Sequence, residues 1–180
     1  MKLLLLSGSF HSGSRSLRIA RFLRGQLAGH QVEIPALQQL PFYCEDLNRD
    51  QPASVRAFLQ AVSDCDAILC ITPEYNHSIP AVLKNAIDWA SRPAFHSPLK
   101  DKPVSLITQA DSPVGGARAQ AHLKLVLDST LCIVFPAHEM MITGVSRVLA
   151  AGDDISDPDT RRRILHHVEA FIAFAQRVGR

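Results

Sequence analysis

The sequence predicts an α/β protein in which helices cover both faces of a parallel, doubly wound sheet. Short aliphatic segments recur along the chain, and segments with helical spacing of apolar residues separate them. The aliphatic segments are continuously apolar, as is typical of strands buried on both faces of a parallel sheet. With 180 residues, 47% of them hydrophobic, the chain can bury one sizeable core, so we expect a single domain over residues 1–180.

Five segments are predicted as strands, since each is short, apolar and bounded by a turn or cap signal. The first contains the four consecutive leucines that follow Lys2. The predicted strands comprise residues 2–6, 31–34, 67–72, 104–108 and 131–135.

Helices are predicted between the strands, where apolar residues recur at i, i+3 and i+4. Their apolar positions are Ile19, Leu23 and Leu27; Val55, Phe58, Leu59 and Val62; Ile79, Val82, Leu83, Ala86, Ile87 and Ala90; and Leu123, Val126 and Leu127. Pro80 is expected in the first turn of the third helix, and Asp157 with Pro158 starts a final helix. The turn-rich stretches 35–52 and 143–157 are predicted loops.

The charge balance argues against nucleic acid as a partner. The 19 basic side chains oppose 17 acidic ones, which gives a formal charge of +2, and no block of like charges occurs. A small or neutral partner fits this balance better.

The cysteines and the apolar runs bear on the compartment. The four cysteines form no C-x-x-C pair and no zinc-type cluster with histidine, so we interpret them as free thiols in a reducing compartment. No apolar run approaches the roughly 20 residues of a membrane span, and the leucine run is too short for a signal peptide. We therefore expect a cytoplasmic protein that does not bind a membrane.

The segment LSGSFHSGSRS, residues 6–16, has the form of a phosphate-binding loop without its lysine. Gly8 and Gly13 have the spacing of the glycines in G-x-x-x-x-G-K-[ST], but Ser14 stands at the lysine position. Between a strand and a helix, such a loop presents free backbone N–H groups and the positive end of the helix dipole. The serine hydroxyls suit one phosphate group bound without metal, and the dinucleotide fingerprint is absent. A simple strand-to-helix connection is the alternative.

The histidine and the arginines of this region have more than one interpretation. His11 could donate to the phosphate, since imidazole titrates at about pH 6.5, or it could face solvent. Arg15, Arg18, Arg21 and Arg24 recur along the first helix, a spacing that favours a solvated basic face. Arg15 is nearest the helix start, and it alone is expected to reach the phosphate.

Two further loops are expected beside the first, because ligands of open α/β sheets bind beyond the carboxyl ends of the strands. In the segment TPEYNHSIP, residues 72–80, two prolines hold a short exposed loop in which Tyr75 and Asn76 could contact a flat heterocycle. Ordinary packing at the rim is the alternative for Tyr75. After the fourth strand, Ser112, Gly115 and Gly116 precede a helix, and paired glycines let the backbone approach a ligand closely.

Three segments, GSFHSGSRS, PEYNHSIPAVLKNAIDW and SPVGGARAQ, resemble in order and spacing the NADPH-dependent FMN reductase family of flavodoxin-like proteins, which includes quinone, chromate and azo-dye reductases. The resemblance covers most of residues 1–135 and implies a five-stranded parallel sheet of order 2-1-3-4-5 with an FMN site. The implied cofactor-binding residues are Ser9, His11, Ser14 and Ser16 at the phosphate, with Arg15 beside them; Pro73, Glu74, Tyr75 and Asn76 at the isoalloxazine edge; and Ser112, Gly115 and Gly116 on the other side of the flavin.

The sequence departs from the family pattern at two places. His11 stands where the family usually has arginine, and Asp111 and Val114 interrupt a run of small residues. The loop itself suits the implied cofactor. FMN ends in a single phosphate and requires neither a lysine nor magnesium from the loop.

The resemblance implies an oxidoreductase that takes electrons from NADPH or NADH and passes them to quinones, free flavin or similar small acceptors by a ping-pong mechanism. FMN carries the chemistry, so no side chain, Glu74 included, is assigned as general acid or base. The family also implies a homodimer or homotetramer. A flavodoxin-type electron carrier is the alternative, although such carriers usually have a strongly acidic docking face. A phosphosugar- or nucleotide-binding module without flavin ranks third.

Overall fold

The leucines of the first strand pack alternately on the two sides of a central parallel sheet. The computed structural model describes residues 1–136, 139–149 and 152–179. Leu3 and Leu5 belong to one buried cluster, and Leu4 and Leu6 belong to the other. Because both faces of this strand are covered, its four central residues are all leucine, whereas Lys2 at its start is exposed.

The sheet has the order β2-β1-β3-β4-β5, and a sixth strand also pairs with β4. All of these pairs are parallel. The order 2-1-3-4-5 expected from the family resemblance is thereby confirmed. The strands are β1 (Lys2–Ser7), β2 (Gln31–Glu33), β3 (Ala67–Pro73), β4 (Pro103–Ala110), β5 (Ile133–Val134) and β6 (Met140–Thr143).

Helices cover both faces of the sheet, as predicted. The helices are α1 (Arg15–Gln26), α2 (Ala53–Asp64), α3 (Ala81–Ala90), α4 (Ala117–Asp128), α5 (Val145–Val148) and α6 (Pro158–Val178). The cluster on one face contains Ile19 from α1 and Phe171 from α6. The opposite cluster contains residues of α2, α3 and α4, among them Phe58, Trp89 and Leu123.

The start of α6 lies where the sequence predicts it, whereas Pro80, expected in the first turn of α3, lies one residue before that helix. Asp157 is the N-cap of α6, its carboxylate accepts from Thr160 N at 2.8 Å, and Pro158 is the first helical residue. Pro80 is the N-cap of α3, so Ile79, predicted within that helix, lies just before it. Among the described residues, no helix is long and apolar enough to cross a membrane.

The fifth strand differs from its prediction over residues 131–135. Leu131 has a φ of +63°, and Cys132 N donates to Leu127 O at 3.3 Å, so these two residues finish the helix region instead of extending the strand. Only Ile133–Val134 pair with β4 there. The same edge of β4 then pairs, further along, with β6, a strand that the sequence analysis placed partly in a loop and partly in no element.

The predicted loops contain short helical elements. The stretch 35–52 includes two 3₁₀ turns, Leu37–Gln39 and Glu45–Asn48, and the stretch 143–157 includes α5. Both stretches otherwise connect longer elements, as predicted.

His167 of α6 is a titratable side chain that packs against the sheet. Its Nε2 lies 2.8 Å from Ser105 Oγ of β4, and its ring contacts Phe135 with 5.6 Å between ring centroids. Burial, reinforced by the nearby His166, lowers the pKa of His167 from 6.5 to about 4. The folded protein therefore holds this imidazole neutral at a pH where the unfolded chain would protonate it.

We predict that the protein loses stability as the pH falls from about 6.5 to about 4. In this interval the unfolded state binds a proton at His167 that the folded state does not, so the free energy of unfolding decreases by at most about 1.4 kcal/mol per pH unit. The measurement is urea unfolding at pH 7 and pH 5. The variant His167→Gln can still form a hydrogen bond with Ser105, and its free energy of unfolding should decrease less between pH 7 and pH 5 than that of the parent protein.

His166, the exposed neighbour of His167, provides the control. The variant His166→Gln removes a histidine but keeps His167, so it should retain the loss of stability at low pH. The carboxyl groups of Asp111 and Asp157, whose pKa values hydrogen bonds lower below 3.8, are almost entirely ionised in both the folded and the unfolded state at pH 7 and pH 5, so they add little to the difference between these two measurements. An equal loss of stability in His167→Gln and in the parent protein would contradict the prediction.

Candidate functional site

The chain leaves β1 against the end of β3 through a position that admits only glycine. Gly8 N donates to Ile71 O at 2.9 Å, and a Cβ at Gly8 would collide with Thr72 Oγ1. The loop that follows therefore begins directly beside the carboxyl end of β3.

Serine hydroxyls hold this loop in shape. Ser7 Oγ and Ser14 Oγ both donate to the carbonyl oxygen of Ser9, at 2.8 and 3.0 Å. Ser14 Oγ also accepts from Leu17 N at 3.2 Å and is the N-cap of α1. The proton of the Ser14 hydroxyl is thus used within the protein, so Ser14 builds the loop and cannot donate to a ligand without releasing Ser9.

The first turn of α1 supplies donors for a ligand. The backbone N–H groups of Arg15 and Ser16 bond to no atom of the described residues, as is usual for the first residues of a helix. The Ser16 hydroxyl is fully buried beneath them and accepts from Gln109 Nε2 at 3.2 Å. His11 Nδ1 accepts from Gly13 N at 3.2 Å, which leaves Nε2 as the donor of the neutral ring.

The second loop turns back on itself immediately after β3. Tyr75 N donates to Ser78 O and Ser78 N donates to Tyr75 O, both at 2.9 Å. The two residues between them, Asn76 and His77, have φ values of 48° and 65°, as a tight turn with two left-handed positions requires. This turn leaves the Tyr75 side chain half exposed at the edge of the loop.

Glu74 connects the second loop to α4. Its Oε2 accepts from Arg118 N at 3.0 Å and Ala119 N at 3.2 Å, and its Oε1 lies 3.4 Å from an Arg118 guanidinium nitrogen. The N-cap of α4 is Gly116, which has no side chain to satisfy these donors. Glu74 therefore caps α4 from another element, and its carboxylate is committed to that contact.

Asp111 connects the third loop to the first. Its Oδ2 lies 2.6 Å from an Arg15 guanidinium nitrogen, and its Oδ1 accepts from Ser146 N at 2.8 Å. The hydrogen bonds from Ser146, followed by the charge of Arg15, lower the pKa of Asp111. This carboxylate is thus ionised at neutral pH and partly balances Arg15.

The three loops enclose a cleft of about 340 Å³. Six of the predicted cofactor-binding residues line it: Ser9, His11, Arg15, Pro73, Glu74 and Tyr75. The remaining lining residues are Gly13, Gln109, Ala110 and Asp111.

The other predicted residues lie around the cleft and do not line it. Ser14 and Ser16 are buried below it, and Asn76 occupies the tight turn. Gly115 and Gly116 pack against β4 and β6, where Thr108 Oγ1 donates to Gly115 O at 3.1 Å. Ser112 is exposed in the third loop.

Gln109 and Asp111 are the two lining residues with polar side chains that sequence reasoning did not assign to the site. Gln109 is the second-last residue of β4, so the rule that sites form at carboxyl ends of strands was a sufficient signal for it. Asp111 was recognised only as a departure from a family pattern. Its bond to Arg15 joins residues 96 positions apart, and no local pattern indicates such a contact.

The residues present fit a phosphomonoester-bearing cofactor such as FMN. Ser9, His11 and Arg15 line one polar end of the cleft, next to the first turn of α1, where the Arg15 N–H has no partner among the described residues. Tyr75 and Pro73 provide apolar contact area at the other loop. The two carboxylates that line the cleft are each paired with an arginine, so neither is an uncompensated negative charge beside the phosphate.

Comparisons with known proteins show the family of the chain. The family model described as NADPH-dependent FMN reductase matches residues 1–146. A 2-hydroxy-1,4-benzoquinone reductase of a Burkholderia species is 34% identical over 98% of this chain and 97% of its own length. A quinone reductase of Escherichia coli K12 is also 34% identical, over 99% of this chain and 97% of its own length.

A solved structure with a similar fold is FerB, a flavoenzyme NAD(P)H:(acceptor) oxidoreductase from Paracoccus denitrificans. It superposes with a TM-score of 0.91 at 31% identity, over 98% of both chains. The family match, the near full-length relatives and the loop geometry lead to one conclusion: the chain belongs to the NADPH-dependent FMN reductase family and is an oxidoreductase of the FMN- and NAD(P)H-dependent type.

Proposed function

We propose that the protein oxidises NADPH or NADH and passes the electrons through FMN to quinones, free flavin or similar small acceptors by a ping-pong mechanism. Residues 1–180 act in this proposal as one FMN-binding domain. The observation that carries it is the cleft at the carboxyl ends of β1, β3 and β4, where a loop without a lysine presents free N–H groups. The relatives named as quinone reductases support the class of acceptor.

In this proposal the chain binds and orients the cofactor and shields it from solvent, and no side chain transfers a proton. The N–H groups of Arg15 and Ser16, the Arg15 guanidinium and the Ser9 hydroxyl hold the cofactor phosphate. The turn at Tyr75 forms one wall of the cleft, and Gln109 with Asp111 forms the opposite wall. FMN bound in this cleft would supply the hydride and electron-transfer chemistry between the nicotinamide and the acceptor.

The polar contacts within the cleft support a rigid site. Glu74 is fixed by three contacts to α4, and Asp111 by contacts to α1 and α5, so the loops form one connected unit. A site that is ordered before its ligand arrives loses less entropy on binding. This open cleft can admit the nicotinamide first and the acceptor after it.

A flavodoxin-type electron carrier remains the alternative function. Carriers of that type steer protein partners by a strongly acidic surface. The chain has a formal charge of +2, with 19 basic and 17 acidic side chains, so it lacks the net charge for such steering. This balance favours the reductase.

We predict that the protein binds FMN much more tightly than riboflavin, which lacks the phosphate. Hydrogen bonds to a charged phosphate contribute about 1.5–3 kcal/mol each, so several of them correspond to orders of magnitude in affinity. The measurement is a fluorescence titration of the apoprotein with each flavin. Equal dissociation constants would exclude this use of the loop.

Two arginines of α1 provide a matched pair for the same titration. Arg15→Gln should weaken FMN binding by up to about fivefold, the effect of one partly exposed charge that Asp111 already balances. Arg21→Ala, two turns further along and outside the cleft, should leave FMN binding unchanged. Similar effects of the two substitutions would contradict the assignment of Arg15.

We predict parallel lines in double-reciprocal plots of rate against NADPH at several fixed quinone concentrations. Parallel lines indicate that the donor product leaves the shared cleft before the acceptor binds. Anaerobic NADPH should also bleach the flavin absorbance of the loaded protein. If neither NADPH nor NADH bleached it while a reduced ferredoxin-type donor did, the carrier function would replace the reductase.

We also propose that the protein is a homodimer, or a tetramer made from two dimers, with the flavin site at the subunit boundary. Exposed apolar side chains include Tyr75 in the second loop, Val114 in the third loop and Leu125 on α4. Ser78 Oγ lies 3.0 Å from His122 Nδ1, which joins the Tyr75 turn to the helix face that carries Leu125. Exposed apolar area of this kind is typical of a protein interface.

We predict that Leu125→Glu shifts the mass measured by light scattering after size exclusion towards the monomer. A buried, unpaired charge at an interface costs about 2 kcal/mol or more, whereas the same charge on a free surface costs little. Ala173→Glu, on the exposed side of α6, is the control and should leave the mass unchanged. A monomer mass for the parent protein, with full activity, would contradict the shared site.

A further inference from the structure

A second cleft lies on the other side of the phosphate loop. It has a volume of about 320 Å³ and is formed by the loop, by α1 and by the segment that follows β2. Ser9 lines both clefts, so they adjoin at this residue. The function proposed above assigns no ligand to the second cleft.

Two guanidinium groups on one wall make the second cleft a site for an anion. Arg21 and Arg24 line it from successive turns of α1, and no aspartate or glutamate is among its lining residues. Within the described part of the chain, Arg24 has no hydrogen bond or ion pair. Arg21 has one contact, a 3.7 Å pair with Asp153 in which both side chains are 43% exposed, and such a pair is weak.

The rest of the wall is apolar and includes a flat ring. Phe10 lines the cleft with 56% of its surface exposed, and Leu17, Pro35 and Leu37 line it from three elements or loops. Gln38 adds an amide. An aromatic ring, aliphatic side chains and an amide together suit a heterocyclic base that carries polar groups.

We propose that this cleft binds the phosphorylated adenosine of NADPH and that Arg21 and Arg24 recognise its 2′-phosphate. The inference rests on the proposed function, in which the nicotinamide enters the first cleft. Arginine binds phosphate through charge-assisted, bidentate hydrogen bonds, and NADH lacks the 2′-phosphate. The two arginines therefore set a preference for NADPH over NADH.

The direct test is calorimetric titration of the FMN-loaded protein with adenosine 2′,5′-bisphosphate and with adenosine 5′-monophosphate, which differ only in the 2′-phosphate. We expect the bisphosphate to bind about tenfold or more tightly, as one or two charge-assisted contacts allow. The double variant Arg21→Ala/Arg24→Ala should lose most of this difference. Arg177→Ala, near the far end of α6 and outside both clefts, should retain it.

Steady-state kinetics gives a second readout with the same variants. The ratio of KM for NADPH to KM for NADH should rise about tenfold or more in the double variant and stay constant in Arg177→Ala. The bisphosphate should compete with NADPH in the parent protein. An unchanged ratio in the double variant, binding of the bisphosphate without competition, or equal affinity for the two nucleotides would overturn the proposal.

A failure of this proposal is distinguishable from a failure of the proposed function. If the adenosine site is wrong, NADPH still bleaches the flavin, but replacing Arg21 and Arg24 leaves the preference for NADPH over NADH unchanged. If the reductase function is wrong, neither NADPH nor NADH bleaches the flavin in any variant, and this result also overturns the proposal.

Discussion

The close approach of Gly8 to Thr72 determines where the chain leaves the sheet. At this point β1 and β3 are still paired in register, Ser7 with Ile71, and the next residue has no room for a side chain. The phosphate loop therefore starts beside the end of β3, and α1 begins with its free N–H groups at the same edge. Every other part of the candidate site is arranged around this junction.

Long-range side-chain contacts complete the site that the sheet begins. Glu74 caps α4 from the second loop, and Asp111 joins the third loop to α1 and to α5. Both contacts satisfy acidic groups at the rim of the cleft with protein donors. The backbone N–H groups at the start of α1 are left without protein partners, and they are the groups that a phosphate needs.

The elements that could be predicted from the sequence are those governed by local pattern. Apolar runs identified β1, β3 and β4, the segment QVEI identified β2, and Asp157 with Pro158 identified the start of α6. The prediction of a fifth strand over residues 131–135 was wrong in part, and β6 was not predicted. Strands of two and four residues contain too few positions for a period to be recognised. The site followed from the carboxyl-end rule. Contacts such as that between Arg15 and Asp111 could not be predicted by this rule, since they depend on how distant loops meet.

The central claim is that the backbone N–H groups at the start of α1 bind the phosphate of FMN. Hydrogen–deuterium exchange at the amides of Arg15 and Ser16 tests it directly, measured in the apoprotein and with saturating FMN or riboflavin. The account predicts that FMN slows exchange at these amides and that riboflavin does not. Equal protection by both flavins, or no protection at these amides with FMN bound, would contradict it.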